Sequence, residues 1–276
     1  MKFLIFLFTI LFSSTSIAID NPWDIKLPFK EATIHFDVKG SMSGTKVLYI
    51  KDYGRISAEY SDTSMTMFGM KQEHKEVEIT TPDWVYSIDL IHNKGSKQTN
   101  PMKFFIKEFN QLSKSDQKKV AVNAEKFGIN SVQGMGGKVT KNATKILGFN
   151  CDKTDVMGTV VYSIVGTGLP LKVESNMMSM QHNETAIRFE KDAGPASKYT
   201  PPKNIALKYD RYADQMMQQQ AKNMMQNLLN DKAPAARNGS GPMGSQPPAN
   251  QPQDNPNQMS PEQQQQLQQM MKMFGG

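Results

Sequence analysis

The sequence predicts an α+β fold in which a strongly curved antiparallel sheet, a half-barrel, carries helices over its concave face. Three observations predict it. Apolar and polar residues alternate from Phe29 to Asn93 and again from Val139 to Lys191. Between these regions, over Met102 to Phe127, the apolar spacing becomes that of a helix. After them, Tyr209 to Leu229 carries a helical apolar stripe, and a polar tail follows.

The first strands read clearly. Ile34, Phe36 and Val38 alternate with His35 and Asp37. Val47 with Tyr49, then Ile56, Ala58 and Tyr60, then Val77 with Ile79 repeat the pattern. Trp84, Tyr86, Ile88 and Leu90 form the clearest period-two run. Such alternation sets one face of a strand on a core. Turn residues at 40–44 (GSMSG), 52–54 (DYG) and 81–83 (TPD) leave gaps too short for crossovers, so an antiparallel meander is expected.

Met102, Phe105, Ile106, Phe109 and Leu112 then fall at helical spacing. Ser113, Ser115 and Asp116 read as an N-cap region for a second helix, expected to end at Gly128. After the glycine-rich stretch 134–137, strands are expected over 139–141, 145–156, 160–165, 169–180 and 185–191. Pro195, Pro201 and Pro202 close the sheet region.

In the last helix, Tyr212, Ala213, Met216, Met217, Ala221, Met224, Met225, Leu228 and Leu229 share one stripe. It is expected to dock on its own domain, to act as a movable lid, or to be offered to an envelope protein. Residues 232–276 are rich in Pro, Gln and Met and are expected to be disordered, with composition suited to a short helix over 261–273.

The N-terminus sets the compartment. Lys2, the apolar run Phe3 to Phe12, and Ser16 and Ala18 at cleavage-site positions form a secretory signal over residues 1–18. The apolar run is shorter than the roughly 20 residues of a membrane span. Residue 19 is Ile rather than Cys, so no lipid anchor is expected. The mature chain is expected in the periplasm, as one domain over 19–207 with the helix 208–231 and the tail. A single cysteine, Cys151, permits no internal disulfide and reads as a buried small hydrophobe.

The formal charge is +6. Lysine dominates, mixed with acidic residues, and no arginine-rich aromatic stripe points to nucleic acid. Enzyme motifs fail residue by residue. Met42 stands where a nucleophile elbow needs Ser, and Val132 and Val139 stand where a phosphate loop needs Gly and Ser/Thr. No catalytic site and no cofactor are expected.

Two site readings follow. An apolar wall of Ile34, Phe36, Val38, Met65, Met67, Trp84, Tyr86 and Ile88 would take an acyl chain, a lipid or a lipidated protein segment. The alternative rests on twenty methionines. Met65, Met67 and Met70 precede His74, and Met177, Met178 and Met180 precede His182. Thioethers suit Cu(I), so Met65, Met67, Met70 and His74 are candidate metal ligands. The competing reading is packing, for which Met is well suited.

The stretches 46–57 (KVLYIKDYGRIS), 146–151 (ILGFNC, followed by Asp152-Lys153) and 169–174 (LPLKVE) resemble LolA-like periplasmic proteins, an uncharacterised branch related to outer-membrane lipoprotein carriers. The resemblance covers about residues 29 to 205. It implies an open, half-closed antiparallel barrel with helices over its mouth, and a carrier's handling of lipidated protein. The chain departs from the carriers in its Met/Gln-rich extension. None of Arg55, Arg188, Arg211 and Arg237 matches a gating arginine.

Overall fold

A computed structural model describes residues 21–24, 26–67, 70–177 and 180–230; the side chains at 67, 125, 131, 177 and 180 lie outside the description. The expected signal peptide, the expected disordered tail and Met178 fall outside these residues.

A single twelve-stranded sheet organises the chain, in the order β12-β6-β5-β4-β3-β2-β1-β11-β10-β9-β8-β7. It is open rather than closed into a barrel, with β7 and β12 at its edges. The first meander comprises β1 (Ala32–Gly40), β2 (Met42–Lys51), β3 (Ile56–Met67), β4 (Met70–Thr80), β5 (Trp84–Asp89) and β6 (Lys94–Thr99). The second comprises β7 (Lys138–Ile146), β8 (Phe149–Val156), β9 (Thr159–Ile164), β10 (Pro170–Met177) and β11 (Met180–Glu190). Antiparallel pairing of β1 with β11 joins the two. The short β12 (Leu207–Tyr209) runs parallel to β6.

Between the meanders lie α1 (Pro101–Asn110) and α2 (Lys114–Gly134); α3 (Arg211–Leu229) follows β12. Asn100 caps α1 by accepting from the Met102 N–H, and Pro101 supplies the fixed φ of the first turn. Gly128 does not end α2, contrary to expectation; the helix runs on to Gly134. A lone glycine inside a helix costs only about 1 kcal/mol, less than the rest of the helix returns. The helices build their own core from Phe109, Val120, Met225 and Leu228, with Trp23 stacked on Phe105 at 5.6 Å. The C-terminal part of the α3 stripe, Ala221, Met224, Met225, Leu228 and Leu229, is thus used inside this chain, while Tyr212 at its start is exposed. The helices also reach both ends of the strand order: α3 touches β6, α2 touches β7 and β8, and α3 touches α1 and α2. No helix among the described residues is long and apolar enough to cross a membrane.

Two expected strands also need correction. The single strand expected over 145–156 is the β7–β8 hairpin, turned at Leu147-Gly148, where both residues have positive φ. The strand expected over 169–180 is β10 followed by the start of β11.

Register assigns the side chains to two faces. Ile34 stands opposite Leu48, Leu48 opposite Glu59, Glu59 opposite Glu78, Glu78 opposite Ser87, and Ser87 opposite Ser96. These define the groove face. The alternate rows, such as Tyr49, Ala58, Ile79, Tyr86 and Lys97, define the strap face. The buried side changes partway across. Strands β1 and β2 bury Ile34, Phe36, Leu48 and Ile50 on the groove face, in one cluster with Leu171 and Ala186. Strands β3 to β5 bury Ala58, Val77, Ile79 and Ile88 on the strap face, beneath Tyr199, Ile205 and Leu207. The strap is the segment 192–207. Tyr60 Oη donates to its Lys198 carbonyl at 3.0 Å. Because the strap covers one face of β3–β5, their other face is free to be polar.

Candidate functional site

The polar half of the groove face forms an open groove of about 510 Å³. Its floor is Glu59 and Ser61 from β3, Glu76 and Glu78 from β4, Ser87 and Asp89 from β5, and Lys94 and Ser96 from β6. Each belongs to the same period-two set, so strand alternation alone delivers four carboxylates to one surface.

Lys46 marks the border between apolar and acidic halves. Its ammonium is paired with Glu184 of β11, and with Glu59 at 3.3 Å, and lies 4.8 Å from the centre of the Phe36 ring. Both Lys46 and Glu184 are nearly buried, with side chains 14% and 12% exposed. Partial burial, then the Glu59 carboxylate beside it, raises Glu78 above its ordinary value of 4.5, with Lys46 acting against the rise. At the rim, the Asp89 carboxylate meets His92 Nδ1 at 2.6 Å. Hydrogen bonds from the His92 N–H, the His92 ring and the Ile91 N–H hold Asp89 below the usual carboxylate range.

The Glu78 shift has a sign that can be tested. Between 4.5 and its raised folded value, the folded chain holds a proton that the unfolded chain has released. Stability from this group is therefore full below 4.5 and is lost as pH rises through the folded value. Glu78→Gln is expected to flatten that fall, read as urea midpoints from acid to neutral pH. A slope identical to the parent's would contradict the shift.

A second groove, of about 340 Å³, is a notch where β4 outruns β5; it is lined by Gln72, His74, Glu76, Asp89, Ile91 and His92 among others. The Nε2 of His74 is buried here without a hydrogen-bond partner. Among the described residues, no group of three or more His, Cys, Asp or Glu has metal-holding spacing.

The structure divides the expected apolar wall. Ile34, Phe36, Val38 and Met65 lie on the groove face, and the register puts position 67 in the same set. Trp84, Tyr86 and Ile88 lie on the strap face, so the eight cannot line one cavity. The reason is the change of buried side between β2 and β3. Ile34, Phe36 and Val38 are 0%, 2% and 3% exposed, as a filled core requires. The nearby apolar cluster is packed by Leu27, Phe29, Phe149 and Phe189. Cys151 is buried, as expected.

Of the expected metal ligands, Met65 and His74 are neighbours: Met65 pairs with Gln72, and His74 with Thr63, one step diagonal to it. Met70 lies four residues from His74 on β4, about 13 Å at the rise of a strand, and is 71% exposed. The side chain of Met67 lies outside the described residues.

Sequence reasoning missed Lys46, Glu59, Glu76, Glu78, Asp89 and Glu184. The signal was present in Glu76-Val77-Glu78-Ile79, where charge and apolar side alternate.

No protein-family model and no curated protein matches the sequence. Among solved structures, the chain is similar to an uncharacterized conserved protein from Thermus thermophilus, at 7% identity and a TM-score of 0.37, over 66% of this chain and 91% of that one. It is also similar to PNGF-II, at 12% identity and a TM-score of 0.32, over 72% of this chain and 33% of that one.

Proposed function

We propose that this chain is an exported, periplasmic, LolA-like binding protein whose concave sheet face takes the acyl chain of a lipid or lipidated protein, with no catalytic step. One observation carries the reading: strands at both ends of the strand order touch a single helical cluster. In a flat sheet, β6 and β7 would stand about 48 Å apart at ordinary strand spacing. The path β6–α3–α2–β7 spans only about 30 Å at helix packing distances. A bent sheet with helices across its opening accounts for the difference, and on this reading the groove face, whose buried cluster joins Leu48 of β2 to Cys151 of β8, is the concave one.

On this reading the apolar part of the concave face is closed by the chain's own residues. Leu27 and Phe29 belong to an N-terminal arm held to the turn after β2 by two backbone hydrogen bonds, Leu27 N to Tyr53 O and Tyr53 N to Lys30 O, both 2.9 Å. An incoming acyl chain takes the place of these two side chains. Burying about ten methylenes is worth roughly 8 kcal/mol before ordering costs. Two partly buried apolar side chains give back at most about 3–6 kcal/mol, which leaves about 2–5 kcal/mol before ordering costs.

Titration of the mature protein with a fluorescent fatty acid tests this. Saturable uptake is expected, and is expected to tighten in the Leu27→Ala/Phe29→Ala double variant. Absence of saturable uptake by both proteins would end the acyl-chain reading.

A further inference from the structure

The methionines flagged in the sequence belong to hairpins that end at the same edge of the fold. The C-terminal ends of β1, β3 and β10 align there in the ladder. Met42 stands directly opposite Met65. Both belong to the groove face, by regular alternation from Leu48 on β2 and Glu59 on β3. His74 is on that face as well, opposite Thr63. The register continues the same set through positions 67 and 70, and through the Met177–Met180 pair beside His182.

We propose a soft, monovalent cation site of the Cu(I) class, formed by the Met42 and Met65 thioethers and His74 Nε2. It goes beyond the acyl-chain reading and does not rest on it. Directly opposed residues hold their Cβ atoms about 4.5–5.5 Å apart, and diagonal neighbours remain within reach of long side chains. Met42, Met65 and His74 satisfy both relations in turn. His74 Nε2 is buried with no hydrogen-bond partner, a costly atom to leave unpaired, and with the ring proton on Nδ1 it presents a free lone pair. A bound cation satisfies it. Thioether and neutral imidazole carry no charge, which selects a soft ion of low charge over Mg²⁺ or Ca²⁺. Glu76, two residues beyond His74 on the same face, and the carboxylates behind it supply a negative field that favours cation entry. Both thioethers are half-buried, as ligands shielded yet reachable should be.

The full chain tests the site with two probes. Cu(I) is titrated anaerobically against a chromogenic chelator, and Ag(I), as a redox-silent stand-in, is added to protein labelled at its methionine methyls. Loss of an outer-shell partner alone typically costs 10–100-fold in metal affinity, so Met42→Leu/Met65→Leu is expected to weaken tight Cu(I) binding by at least about 100-fold. His74→Phe is expected to do likewise. Ag(I) is expected to move the Met42 and Met65 methyl signals, identified by their absence from the Leu variants. The tail methionines are present in every variant and set a common background. Met→Leu conserves volume, and circular dichroism checks that each variant folds. Chelator competition that matches the parent's in all variants, or unmoved Met42 and Met65 signals, overturns the proposal.

Discussion

Lys46→Met is expected to destabilise the fold by about 3–5 kcal/mol, the cost of leaving one partner of a buried ion pair without the other. Lys46 is held by Glu184 and Glu59 and stacked on Phe36. At 12% exposure, Glu184 has little water to turn to when the ammonium is removed. Glu59, at 39%, does. The loss therefore falls mainly on Glu184, and the remedy is specific. Lys46→Met/Glu184→Leu removes both charges and is expected to recover most of the stability, because apolar replacement of a whole buried pair is often neutral or better. Denaturant unfolding of the three proteins measures this. A single-variant cost under about 1 kcal/mol would place the pair among solvated surface ion pairs. It would also mean that Glu184 finds water in the open groove.

That pair also shows where the sequence was legible. Burial of Ile34, Phe36, Val77, Ile79 and Ile88 follows from alternation, and all five are at most 3% exposed. The helical pair and the α3 stripe were read from apolar spacing, and the Asp210 cap of α3 fits its start. Legibility failed where apolar residues were absent. Strand β6 (KGSKQT) has none and exists because β5 and β12 pair with it on both sides. The outer halves of β3 and β4, through Asp62 to Met67 and Met70 to Lys75, are polar or methionine-rich, and their long ladder is a product of the hairpin. The eight-residue wall failed for another reason. Alternation says that a strand has two faces, but the face that meets the core was set by the strap 192–207, distant in sequence from β3–β5. Register between strands, which no single strand encodes, then carried Met42 to Met65 and Lys46 to Glu184.

Gly44→Ala is expected to cost about 3 kcal/mol and to disturb the Met42–Met65 pair as well. Gly44 lies within β2 at a φ of +152°, a conformation that falls to glycine almost alone. A Cβ there would stand 2.2 Å from the Asp62 carbonyl oxygen and 2.7 Å from the Thr63 Cα, both backbone atoms of β3. Neither can rotate away, so β2 and β3 must separate. The stiffening of the unfolded chain by alanine returns only about 0.4–1 kcal/mol. Gly166 is the control. Its φ of +74° also favours glycine, but nothing lies within 4 Å of a Cβ there, so Gly166→Ala is expected to show the conformational cost alone, about 1 kcal/mol. Urea unfolding of both variants gives the comparison, and methyl signals of Met42 and Met65 report the geometry at the hairpin tip. Equal costs for the two glycines would show that β2 relaxes freely from β3. The close approach at Gly44 would then not be what fixes the register that brings the two thioethers together.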